Sequence, residues 1–151
     1  MRSWSANPAP FALVAVLVAL ALAGCAGAQT KGADMDQRFA PCPESPNCVS
    51  SYATGELHAI DPVPLPADDP MRALRDVVAS LPRTKIVVED GDYLHATFTS
   101  LVFRFVDDVE FRIDREAGVI HVRSASRVGY GDMGVNRRRV ESIRERLRER
   151  S

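Results

Sequence analysis

Asp107-Asp108, with Glu110 two residues on, is the densest group of reactive side chains in the chain. Carboxylates so placed serve as general bases or as ligands for hard cations. On a strand, however, Asp107 and Asp108 point to opposite faces, and a hard cation needs several oxygens converging on it. No metal site is therefore assigned. The histidines His58, His95 and His121 stand apart from any recognisable serine or cysteine motif, so no catalytic residue is assigned. No Walker loop, G-x-G-x-x-G or H-E-x-x-H occurs, and no cofactor is implied. Gly129, Gly131 and Gly134 precede a helical stretch, whose first backbone N–H groups can hold an anion. Arg137, Arg138 and Arg139 add forked donors suited to phosphate head groups or envelope polymers. A solvated helix face is the plainer reading of that run.

These side chains need elements to position them. Asp68-Asp69-Pro70 reads as a helix start, an acidic cap followed by proline in the first turn. Met71, Leu74, Val77, Val78 and Leu81 then form one apolar face, and Pro82 ends it. Ile86-Val87-Val88, the turn Asp90-Gly91 and Tyr93 to Phe98 predict a β-hairpin. A third strand is expected from about Leu101 to Asp114, and a fourth from Val119 to Val128 after a turn with Gly118. Asp132 is read as the cap of a last helix carrying Met133, Val140, Ile143 and Leu147 on one stripe. Seven of the ten prolines fall between Pro41 and Pro70, so an extended wrap with little regular structure is expected there. The fold class is α+β: an antiparallel sheet of about four strands, two helices packed on one face, and a disulfide-closed N-terminal loop.

The third and fourth strands can be registered by matching faces. If Ile113 pairs with Ile120, Phe111 meets Val122, and Phe103, Phe105 and Val109 lie on the same apolar face. Glu110 then opposes Arg123 on the other face, and Arg112 opposes His121. Asp107 falls on the apolar face, opposite Ser126 and beside Ser124, where a lone carboxylate is costly. Its expected partners are those hydroxyls, the end of Arg127, and donors from Gly129-Tyr130-Gly131. Three readings stay open: a β-bulge turning Asp107 outward, a structural network tying the sheet to the last helix, or a ligand pocket.

The 151 residues are 46% hydrophobic and 26% charged, with a net charge of −1, which suits one globular domain and excludes a nucleic-acid-binding polycation. Charge is unevenly placed, net −7 from Cys42 to Val122 and net +5 from Arg123 to Ser151. Residues 1–24 read as a signal peptide, because the apolar run Phe11–Leu22 is about 12 residues where a bilayer span needs about 20. It ends in Leu22-Ala23-Gly24-Cys25, which resembles the bacterial lipobox and implies cleavage before Cys25 and its lipidation. An ordinary secretory signal cut near Ala26 or Ala28 and an uncleaved short anchor are the alternatives. Ala26, where aspartate commonly signals inner-membrane retention, favours the outer membrane by the same resemblance. Residues 25–41 form the lipidated cysteine and a flexible tether, and 42–151 the single domain. With Cys25 used for lipid, Cys42 and Cys48 remain as a pair in an oxidising compartment. A disulfide is the expectation; a metal site lacks nearby ligands, and C-x₅-C is not the redox spacing.

Two stretches are distinctive: "CPESPNCVSS" from Cys42 to Ser51, and "FRFVDDVEF" through "VRSASRVGYGDMGVNRRRVESIRERL" from Phe103 to Leu147. They resemble the bacterial domain-of-unknown-function family 1499 over roughly Cys42 to Leu147. The resemblance implies a small, often exported or membrane-attached domain and carries over no catalytic assignment. It places signature residues at Asp107, Asp108, Ser126, Arg127, Gly129, Asp132, Gly134, Asn136, Arg137 and Arg139. The candidate ligand site is accordingly Asp107, Ser124, Ser126, Arg127, Tyr130, Asp132, Asn136 and Arg137. The expected function is a lipid-anchored, periplasm-facing envelope protein that binds a small ligand or envelope component without catalysis. A hydrolase using Asp107 or Asp108, and a scaffold docking an envelope protein through the arginine-rich last helix, are the alternatives. Nucleic acid is not an expected partner.

Overall fold

The computed structural model describes residues 39–150, and the expected signal peptide, Cys25 and most of the expected tether lie outside them. The central strands alternate. β4 (Tyr93–Thr99) and β5 (Val106–Asp114) bury every second residue, and β6 (Val119–Ser126) does so up to Ser124, beyond which Ala125 is buried as well; this is the period-2 pattern of a sheet covered on one face only. β3 (Thr84–Asp90) completes the first hairpin across Gly91, which sits at φ 54 where a side chain would be strained. The predicted register holds: Ile113 pairs with Ile120, Phe111 with Val122, Glu110 with Arg123, and Asp107 with Ser126.

The sheet has six strands and not four. The proline-rich segment supplies the other two: β1 (Cys48–Ser50) and β2 (Val63–Pro64) lie along the free edge of β6, giving the order β1-β6-β5-β4-β3 with β2 beside the start of β6. Pro64 is tolerated because this is an edge, where a missing N–H breaks no inner ladder. Two neighbouring strands also come out shorter than read. β5 begins at Val106, so Phe103 and Phe105 are exposed loop residues and not core. β6 stops at Ser126, leaving Val128 exposed. Among the described residues the register shifts in β3, between Ile86 and Val88, and runs unbroken through Asp107 and Asp108, so no bulge turns Asp107 outward.

The helix α1 (Pro70–Ser80) starts as predicted: Asp69 accepts the Arg72 N–H on its side chain and Pro70 occupies the first turn. It buries Leu74, Val77 and Val78. The helix α2 (Val135–Arg148) buries Val140, Ile143 and Leu147 but not Met133, which precedes it and is 94% exposed. Gly134 is its cap residue, while Asp132, two residues earlier, accepts the N–H groups of Gly134 and Asn136. Both helices join the inner sheet face in one apolar cluster with Leu94, Phe111, Ile120 and Val122 at its centre. Buried Arg144 of α2 donates to the carbonyls of Asp61 and Pro62, which fastens the segment leading into β2.

Candidate functional site

The carboxylate on the apolar face has a cation the sequence reading did not name. Arg139 comes from α2, three residues past Asn136 and hence on the same helix face. Its Nη2 donates to Asp107 Oδ2 at 2.5 Å, and its Nη1 donates to Asn136 Oδ1 at 2.6 Å and Ser124 Oγ at 3.0 Å. The guanidinium also lies 4.7 Å over the Phe98 ring. Ser124 Oγ donates to Asn136 Oδ1. Asn136 Nδ2 donates to Asp132 Oδ2, to Ser126 Oγ and to the backbone carbonyl of Asn47. Ser124 and Asn136 are fully buried, and Asp107 is 6% exposed. Each of these side chains thus has protein partners, which is the condition for burying them. At Asp107 these bonds form a network that ties the sheet to the last helix.

The network reaches the disulfide loop as well. Cys42 and Cys48 are bonded, and between them Asn47 presents its carbonyl to Asn136 and to the Ser126 N–H. Asn47 Nδ2 donates to Gly129 O, and its Oδ1 accepts from Ser45 Oγ. Asn47 was invisible in the sequence reading because its partners lie about eighty residues away. Its only signal was its place in the S-P-N-C stretch.

Three candidates, Arg127, Tyr130 and Arg137, do not join this cluster. Arg127 lies on the helix-free face, where its Nε and Nη2 hold Asp108 at 2.7 and 2.8 Å. Tyr130 is 79% exposed in the loop after β6. On the helix-free face His95 Nε2 also sits 2.8 Å from Asp108 Oδ1, and Glu110 bridges Tyr93 and Arg123. Arg127's hydrogen bond, with a lesser one from His95, holds the Asp108 carboxyl below its ordinary range. Burial and the bond to Glu110 push the Tyr93 phenol up to about 12. Asp107 and Asp108 face opposite sides of the sheet, and among the described residues no three His, Cys, Asp or Glu side chains are placed to hold a metal ion.

Arg137 and Asp132 meet at an open groove of about 320 Å³ beside the network. Its walls are Pro46 and Cys48 of the disulfide loop, Glu56 and Leu57, Val49, and Gly134 at the start of α2. Arg137 Nη2 donates to the carbonyls of Glu56 and Leu57, both at 3.3 Å. The first N–H groups of α2 are already engaged by Asp132, so the helix start is not an open anion site. The arginine run is divided by function: Arg139 is turned inward, Arg137 lines the groove, and Arg138 donates to Met133 O.

A two-layer α+β domain, closed by one disulfide and braced by a buried polar network, is the class that this fold and site define. The model of the family described as a protein of unknown function (DUF1499) matches residues 38–147. The chain belongs to that family. Comparison with curated proteins finds no match.

Proposed function

We propose that this chain is an envelope lipoprotein, lipidated at Cys25 and facing the periplasm from the outer membrane, whose domain binds a small ligand without catalysis. The observation that carries the binding role is the division of the candidate residues. Asp107, Ser124, Ser126 and Asn136 are engaged inside the domain with one another and with Arg139, whereas Arg137, together with Asp132 at the network's edge, lines an accessible groove. Arg137 supplies forked donors for a carboxylate or phosphate, and Pro46, Val49 and Leu57 supply an apolar wall. The non-catalytic reading is supported by the carboxylates: Asp107 faces the interior, and Asp108 is drawn toward its ionised form by two partners.

Native mass spectrometry of the full chain, extracted from the envelope in mild detergent, tests this. A small-molecule adduct is expected on the wild type and its loss on Arg137→Ala. An empty wild-type chain, or an adduct that Arg137→Ala retains, contradicts the groove as the site. The same spectra read the mass of the acylated mature chain beginning at Cys25.

A further inference from the structure

Residues 100–105, between β4 and β5, and 127–134, between β6 and α2, leave the sheet at the same end, because Thr99 pairs with Val106 and Asp107 with Ser126. Ser100 closes the first loop: its N–H donates to Phe105 O, and its Oγ accepts the Phe105 N–H. The side chains between are left outside. Leu101, Val102, Phe103, Tyr130 and Met133 are each more than 70% exposed, and Phe105 stacks on Phe103 at 5.5 Å. Scattered exposed apolar residues are ordinary, but this many at one end of a small domain mark a contact surface.

Two further observations single out the same end. Of the four non-glycine residues at positive φ among those described, Arg83, Arg104 and Met133 sit here, Arg83 through its bond to the Thr99 N–H. Such backbone persists where its surroundings impose it and gathers at functional places. Charge is also polarised along the strands. At this end Arg83 and Arg104 make no ion pair among the described residues, and Asp132 has its oxygens on the N–H groups of Gly134 and Asn136. The opposite end carries Asp90, Asp92, Asp114 and Glu116 in its two turns, against Arg115, which is paired with Asp92.

We infer that this end of the domain enters the head-group region of a bilayer containing anionic lipid. The aliphatic and aromatic tips reach the acyl boundary, Arg83 and Arg104 meet lipid phosphates, and the acidic end points away. Protruding tips fit a fluid surface that closes around them, where a rigid protein partner would call for a matching cavity. The contact does not depend on lipidation of Cys25 or on the groove at Arg137.

Trp4 is the only tryptophan, so the probe is Phe103→Trp in a Trp4→Phe background of the full chain. The protein is reconstituted in vesicles of phosphatidylcholine and phosphatidylglycerol. Blue-shifted emission and at least twofold quenching by phospholipid brominated near its carbonyls are expected. Glu116→Trp, roughly 30 Å away along β5, should stay unquenched, and Arg83→Glu with Arg104→Glu should relieve the quenching at position 103. Equal quenching at both sites, or none at position 103, overturns the inference. Emission that changes with protein concentration and not with lipid would place a second copy of the chain on the patch, which overturns it too.

Discussion

Asp107 and Asp108 are neighbours in sequence with opposite situations. Asp107 is turned into the core and held by Arg139; Asp108 is half-buried on the helix-free face and held by Arg127 and His95. Sheet alternation made that division legible, since adjacent residues on a strand must face apart. Which arginine serves Asp107 was not legible, because Arg139 reaches it only after α2 folds back across the sheet. The helix-free face carries a pH signature of known sign. Asp108, with its carboxyl depressed when folded, adds stability that is complete above the unfolded value of about 4 and is lost as pH falls below it. Tyr93, raised to about 12, adds stability that is complete below about 10 and is lost as pH rises toward 12. Urea midpoints followed across pH should show Asp108→Asn flattening the acid limb and Tyr93→Phe the alkaline limb. Limbs unchanged by either substitution would refute the assignments.

At the scale of elements, the hairpins and both helices followed from apolar periodicity, whereas the two edge strands did not. β1 and β2 are three and two residues long, embedded among prolines, and exist only because β6 offers an unpaired edge. No local pattern predicts a strand that short. The opposite error came from Leu101-Val102-Phe103: an apolar run adjoining a true strand reads as its continuation, although β5 begins only at Val106. The disulfide loop is the element that holds the edge in place, since Asn47 within it serves both β6 and α2. Replacing Cys42 and Cys48 by serine should cost about 2 kcal/mol by loop-closure entropy, read as a lower unfolding free energy in urea. An unchanged free energy would mean that Asn47 and β1 hold the loop unaided.

The whole domain is organised as a braced interior with separate outward surfaces. Its polar core is enclosed and satisfied, its groove opens beside the disulfide loop, and its apolar loops project from one end of the sheet. Asp132, Asn136 and Arg137 are close along the chain, so in the sequence the residues of the first two regions look like one site. Asn136 and Arg137 are consecutive in α2, and the rotation of about 100° per helical residue turns one inward and the other outward. The division between scaffold and binding surface is the central claim, and equilibrium unfolding of Arg139→Ala beside Arg137→Ala tests it most directly. Arg139→Ala should lower the unfolding free energy by about 3 kcal/mol, because it strands a buried carboxylate. Arg137→Ala should change it by no more than about 0.5 kcal/mol, as expected of a half-buried groove side chain bonded only to surface carbonyls. Equal losses from the two variants, or a stable Arg139→Ala, would contradict the account.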